Sequence, residues 1–232
     1  MCTLLLPGWE AQGGLAARGQ EVFRYEIHTL GGPAGEAALT FGRLRALKGH
    51  RLRPVKLEAR TTGQAQRLYP FLGGGTTWVD ESGLTRRIRW DSQMPLGRRE
   101  VKVHARGKTL KGENVLAGVR KEVDYQLDAR PTDLIGAIAW LRNQDLVPGK
   151  VYERPVFLGL RVYEMSAEVG EPERVHLPVG LREVFPVRIT ARGHGKNFRA
   201  EAHYTRKGKL PALLRFRLRA LGVVEARLAF RQ

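Results

Sequence analysis

Residues 131–162 read PTDLIGAIAWLRNQDLVPGKVYERPVFLGLRV, and this stretch decides the fold class. Leu134, Ile135, Ile138 and Leu141 recur at helical spacing within Pro131 to Asn143, forming one apolar stripe. Thr132 is the expected N-cap, Asp133 suits the positive end of the helix dipole, and Pro131 fits a first helical turn. Trp140 flanks the stripe and reads as core. Pro148 and Gly149 then turn the chain into a strand from Val151 to Leu158, so helix, turn and strand follow within one segment.

Outward from this helix the pattern has period two. Phe23, Tyr25 and Ile27 alternate with Arg24, Glu26 and His28, and Val55, Leu57 and Ala59 alternate with Lys56, Glu58 and Arg60. Val101, Val103 and Ala105, then Val123, Tyr125 and Leu127, repeat the alternation before the helix. Tyr163, Met165, Ala167 and Val169, then Val187, Ile189 and Ala191, repeat it afterwards. Residues 61–75 resist placement, with Gly73-Gly74-Gly75 reading as a turn. Residues 107–114 read as a loop, and Glu171 and Glu173 as a solvated turn around Pro172. The expected fold is mainly β: a single curved antiparallel sheet, a half-barrel or partly closed barrel, with one helix at about 131–143 packed against it. An irregular lead-in over 1–18 and one β-rich domain over 19–232 are expected.

Forty Lys and Arg against 23 Asp and Glu leave a net charge of +17, an attractive field for nucleic acid, lipid headgroups, anionic glycan or acidic protein. Arg86, Arg87 and Arg89, then Lys102, His104 and Arg106, then Arg215, Arg217 and Arg219 are placed on polar strand faces. Were those strands neighbours, their outer faces would fuse into a basic wall. The aromatics alternate to the opposite face, so a platform for stacking bases is not indicated, and nucleic-acid binding would rest on charge alone.

The chain has one cysteine, Cys2, which excludes an intramolecular disulfide and a cysteine-based zinc site. Cys2 has two readings, the acceptor of a lipid anchor in a mature lipoprotein or an incidental residue near a frayed terminus. No apolar run reaches the ~18 residues of a membrane-crossing helix, and Thr3 to Leu6 is too short for the core of a signal peptide. G-x-S-x-G, H-E-x-x-H and phosphate-loop motifs are absent and the histidines are scattered, so no catalytic residue, metal site or cofactor is expected. The residues expected to wall the space between sheet and helix are Phe23, Tyr25, Leu134, Ile138, Leu141, Tyr163, Met165, Phe198, Phe216 and Leu218. They either fill a dry core or line an apolar cavity.

Several short motifs carry a family resemblance. Ala139-Trp140-Leu141-Arg142 precedes Leu146-Val147-Pro148-Gly149-Lys150-Val151-Tyr152, followed by Val156-Phe157 and Val162-Tyr163-Glu164. Gly19-Gln20-Glu21, Tyr25, Ala34-Gly35-Glu36, Leu210-Pro211 and Gly222 extend the pattern over roughly residues 19–230. In these the chain resembles the bacterial family catalogued as domain of unknown function 3108. Tyr204-Thr205-Arg206-Lys207 departs from the family pattern, where a Trp and an acidic turn residue are expected. The resemblance implies an exported envelope protein, periplasmic or associated with the outer membrane, whose curved sheet is similar to the half-barrels of lipoprotein carriers. It supplies no catalytic residues. The function expected is binding of an apolar, lipid-like ligand or a lipidated partner. The alternatives are an adaptor docking an acidic envelope protein or anionic glycan through basic residues, and nucleic-acid binding by charge.

Overall fold

A computed structural model describes residues 19–47, 49–206, 211–218 and 222–231. The lead-in over 1–18, with Cys2, and Arg219 lie outside these residues, and the side chains of Arg217 and Leu218 are likewise undescribed. Before the central helix the order is β1 (Glu21–Thr29), β2 (Gly32–Phe41), β3 (Arg45–Leu47), β4 (His50–Thr61), α1 (Gly63–Leu68), β5 (Leu72–Val79), β6 (Thr85–Met94), β7 (Gly97–Arg106), β8 (Thr109–Leu116), β9 (Val119–Gln126) and β10 (Thr132–Asp133). Then come α2 (Leu134–Arg142), β11 (Val151–Leu158), β12 (Arg161–Val169), β13 (Glu173–Leu177), β14 (Gly180–Gly193), β15 (Lys196–Thr205), β16 (Pro211–Leu218) and β17 (Gly222–Arg231).

The alternating segments pair as one large curved sheet. It runs from β9 through β8, β7, β6, β5 and β4 to β2 and β1, crosses to β17, and continues through β16, β15, β14 and β12 to β11. All these pairings are antiparallel, and the two-residue β10 adds a parallel pairing to β11. β3 and β13 are short flaps folded onto β4 and β14.

The sheet does not close edge to edge. Phe157 and Val162 are cross-strand partners, as are Val156 and Tyr163, so the two pairs point to opposite faces of the β11–β12 hairpin. Val156 and Tyr163 face the interior with Met165 and Trp140, whereas Phe157 packs with Ile88, Val101, Val103, Leu110 and Val123. The inner face of β7, β8 and β9 therefore lies over the outer face of β11 and β12, and the sheet is rolled past its own edge. Asn114 Nδ2 donates to the Gly159 carbonyl and Tyr125 Oη to that of Leu160, tying the overlap at the β11–β12 turn. The outer edge, β9, carries Arg120, Lys121, Glu122 and Asp124, charges that discourage a further strand from pairing there.

Helix α2 lies within the roll. Every residue from Ile135 to Leu141 is buried, which requires neighbours on all sides. Gly136, Ala137 and Ala139 are small enough to admit them. Two expectations are corrected: the N-cap is Asp133, with Thr132 buried in β10, and Leu134 is 57% exposed. A stripe at helical spacing assumes one face on a sheet. Here the helix enters an enclosing sheet, so its first residue stays outside while the rest go in.

Two segments read as irregular are strands. Residues 109–116 form β8, whose Gly112 and Asn114 interrupt the apolar alternation. Gly73-Gly74-Gly75 lies inside β5, where a Cβ on Gly74 would overlap the Leu57 carbonyl and one on Gly75 the Trp90 ring. Glycine is depleted in strands as a rule, but here the missing side chains allow close approach. Helix α1 fills part of the segment that resisted placement.

Candidate functional site

The register puts the connections at two ends. β1–β2, β4–β5, β6–β7, β8–β9, β11–β12 and β14–β15 turn at one end, called the mouth, as Thr29↔Gly32, Arg60↔Leu72, Met94↔Gly97, Leu116↔Val119, Leu158↔Arg161 and Gly193↔Lys196 show. The other end, the base, holds the connections around 80–84, 107–108, 127–131, 143–150 and 170–172.

The base is plugged by α2, held at both ends. At its N-terminus buried Asp133 accepts from Thr77 Oγ1 at 2.7 Å, Thr85 Oγ1 at 2.8 Å and the Gly136 amide at 3.1 Å, joining helix, β5 and β6. Gly83 brings the β5–β6 turn against the helix, since a Cβ there would come within 2.8 Å of Trp140 Cα. At the C-terminus Arg142 pairs both guanidinium nitrogens with Glu21, at 2.6 and 2.9 Å, and lies 4.7 Å from the Phe41 ring centroid. Its charge also suits the negative end of the helix dipole. Trp140 is covered by Arg154 at 4.7 Å and meets Tyr152 edge to face. Tyr25 and Tyr204 are fully enclosed, and burial pushes both phenols up, so they serve as neutral donors, Tyr25 to the Pro211 carbonyl and Tyr204 to that of Ile138.

Burial raises the Asp133 carboxyl above the ordinary value against the lowering effect of its hydrogen bonds. A group raised in the fold contributes stability that is fully present below its unfolded pKa and is lost as pH rises through the folded one. Asp133→Asn keeps a capping side chain without the titration. The melting-temperature advantage of the native protein over Asp133→Asn is therefore expected to shrink as pH rises above about 4. An advantage that grows over that range would contradict it. Asp91 and Glu225 work oppositely: arginine partners, Arg98 for Asp91 and Arg227 and Arg215 for Glu225, hold their carboxyls below the usual range, so their contribution is lost as pH falls. For Glu225 burial opposes these partners and is outweighed.

Of the expected wall residues, Phe23, Tyr25, Ile138, Leu141, Tyr163 and Met165 are buried around the plug. Phe198 and Phe216, by contrast, are 45% and 36% exposed. Their partners Ala191 and Val224 are buried, so both rings have inward parity. They stay exposed because they stand near the mouth, beyond the reach of α2. Phe198 meets Tyr163 edge to face at 5.2 Å. Ile27, Ala37, Leu57, Ala59 and Trp90 on the facing strands are likewise inward and part exposed. A concavity of about 1110 Å³ runs along the glycine segment of β5. It touches inward Tyr25, Ala37, Ala59, Gly75 and Trp90, but most of its lining is outward and polar, including Lys56, Glu58, Arg60, Arg89, Asp91, Arg98, Glu100 and Lys102, and Phe198 and Phe216 are not part of it. Sequence reasoning missed Ala37, Ala59 and Trp90; the strand pairing sets Ala59 and Ser92 opposite Gly73 and Leu57 and Trp90 opposite Gly75.

The continuous basic wall does not form. β6 and β7 are neighbours, bringing Arg89 opposite Lys102, but β16 is separated from them by β5, β4, β2, β1 and β17. Arg86 occupies a bulge, between the pairings Thr85↔Val79 and Arg87↔Trp78, and pairs with Asp80. Lys102 lies between Glu100 and Glu113, and Arg215 between Glu201 and Glu225. Arg87 covers the Trp78 ring, and Arg106 is exposed at the end of β7. Glu173, expected in a solvated turn, begins β13 and stands 3.1 Å from buried His203, whose other nitrogen is 2.9 Å from Glu201. These are ion-pair distances without hydrogen-bond alignment, and they pin the β13 flap over β15.

No group of three or more His, Cys, Asp or Glu among the described residues could hold a metal ion, and no described helix is long and apolar enough to cross a membrane. The model of the family described as protein of unknown function (DUF3108) matches residues 24–228. The chain belongs to this family. The match spans β1 to β17, plug and mouth together, and indicates no enzymatic class. No curated protein matches this DUF3108 chain. Among solved structures it is similar to a β-barrel-like protein of the DUF1849 family from Brucella abortus, at 14% identity and a TM-score of 0.63, covering 92% of this chain and 97% of that one. At that identity the likeness speaks for the fold alone, a barrel-like roll. A protein from Parabacteroides distasonis named "putative lipoprotein" aligns over 91% of this chain and 94% of its own, at 10% identity. Its TM-score of 0.36 carries no argument.

Proposed function

We infer that this DUF3108 protein is a non-enzymatic cell-envelope protein that holds an apolar, lipid-like chain, free or carried by a lipidated partner, in the mouth half of its rolled sheet. One observation supports this above the others: inward-facing apolar residues, Phe198 and Phe216 on one wall and Ala37, Ala59 and Trp90 on the other, stay part exposed where α2 does not reach, and a concavity of about 1110 Å³ touches the second of these walls. Ligand sites are concave and mostly apolar, with volumes of roughly 300–1,000 Å³. Burying an acyl chain yields about 0.8 kcal/mol per CH₂, so ~14 carbons offer on the order of 10 kcal/mol before ordering costs. The envelope setting follows from the family resemblance.

Ala59→Trp tests the site. Ala59 is opposite Ala37 and Gly73, so an indole there projects into the space without displacing the buried wall around α2. The expected result is that a fluorescent long-chain fatty acid binds the native protein and binds Ala59→Trp at least ~10-fold more weakly, the equivalent of about 1.4 kcal/mol. Native mass spectrometry after mild purification should find an apolar adduct lost in the same variant. Equal probe binding by both proteins, or no binding by either, refutes the reading.

A further inference from the structure

We propose that the mouth is a docking surface for an anionic phospholipid membrane. Leu30, Leu68, Leu72, Leu96 and Val119 stand at the tips or strand starts of four different mouth connections and are 61% to 91% exposed. Each projects from the same end of the sheet, with inward Phe198 and Phe216 just behind. Hairpin tips normally carry polar residues, and apolar side chains shared among several tips fit a surface that accepts shallow insertion.

Charge decides the occupant. The described mouth connections and the residues flanking them on β9, β12, β14 and β15 bear Arg67, Arg120, Arg161, Arg192 and Lys196, and the connections contain no carboxylate. Arg67, Arg161, Arg192 and Lys196 are exposed and have no ion-pair or hydrogen-bond partner among the described residues. The base connections differ, carrying Asp80, Glu81, Asp128, Asp145 and Glu171 alongside Lys108, Arg130 and Lys150. Leucines interspersed with free cations at an end whose described connections lack carboxylates, against a base of mixed charge, orient the molecule mouth-down on a negative surface. Apolar insertion and attraction to anionic headgroups then act on the same face.

Vesicles of phosphatidylcholine, alone and with phosphatidylglycerol, test this by co-sedimentation of the full chain. The native protein should bind the phosphatidylglycerol vesicles and leave phosphatidylcholine largely unbound. Arg161→Gln/Arg192→Gln/Lys196→Gln should bind roughly 100-fold more weakly, each cation near such a surface contributing about fivefold. Leu30→Ser/Leu68→Ser/Leu96→Ser should also lose ~10-fold or more through the lost apolar insertion. Leu134→Ser/Val147→Ser, exposed apolar positions at the base, should bind like the native protein. The proposal stands apart from the ligand reading, because Ala59→Trp should still bind vesicles. No vesicle binding, equal loss in the base variant, or full binding by the leucine variant each overturns it. The last outcome would leave adsorption by charge alone, as expected of an acidic protein partner.

Discussion

Gly136→Ala is expected to lower the melting temperature by about 10 °C, although helix propensity alone predicts a gain of about 1 kcal/mol. The two effects compete at one methyl group. A Cβ at position 136 would fall within contact of Thr85 Oγ1, 2.6 Å from Thr132 Oγ1 and 2.7 Å from Asp133 Oδ1. None of these oxygens is at the end of a long flexible side chain. Overpacking costs about 1–3 kcal/mol, and a displaced hydroxyl or carboxylate left unpaired in the interior costs about 1–3 kcal/mol more. The sum, roughly 1–5 kcal/mol after propensity is offset and centred on ~3, corresponds at about 2–4 °C per kcal/mol for a chain of this size to a loss of about 10 °C. Thermal unfolding followed by circular dichroism checks it. A variant as stable as the native protein would mean that α2 is not held in the roll by this junction.

Arg142→Met should cost about 2–3 kcal/mol, and the combination with Glu21→Gln should recover more than half of it. Arg142 and Glu21 have side chains 15% and 27% exposed, so the pair is only partly screened. Removing one partner of a buried pair costs about 3–5 kcal/mol, chiefly because the other charge is stranded, and the exposure of Glu21 reduces that figure. The contact of the guanidinium with the Phe41 and Phe23 rings adds roughly 0.5–1 kcal/mol. Chemical denaturation of the two single variants and the double variant separates these contributions. Equal destabilisation in Arg142→Met and the double variant would assign the loss to packing rather than to a stranded carboxylate.

Much of the architecture was legible because strand periodicity survives where one face is buried. Phe23, Tyr25 and Leu39 face inward as alternation requires, and Trp140 is core. The rolled arrangement was not legible, because Phe157 and Val162 are apolar on the face that a half-buried strand keeps polar, and that departure looks like noise until a second layer covers it. The β5 glycines misled for a related reason: local composition says turn, and only the neighbouring strands explain the missing side chains. For the site, alternation gave Phe23, Tyr25, Tyr163, Phe198 and Phe216 one common face but no sign of depth along the strand, and it did not mark Trp78 and Phe157 as outward. Depth separates buried Tyr163 from exposed Phe198, and it depends on where the helix stops. The basic residues failed as a group because strand order, which sets the distance from Arg89 to Arg215, is a long-range property that no local pattern encodes.

The overlap of the sheet on itself sets how the molecule can change girth. A barrel hydrogen-bonded around its whole circumference has a fixed diameter, and widening it means breaking a ladder. Here the seam is closed by side chains, Phe157 under Val103, Leu110 and Val123, with the Asn114 and Tyr125 contacts at the turn. Opening that seam would release the Asn114 and Tyr125 hydrogen bonds and part these apolar side chains, yet leave every backbone ladder paired. Girth in this fold is therefore set by side-chain packing at the seam rather than by a closed ladder.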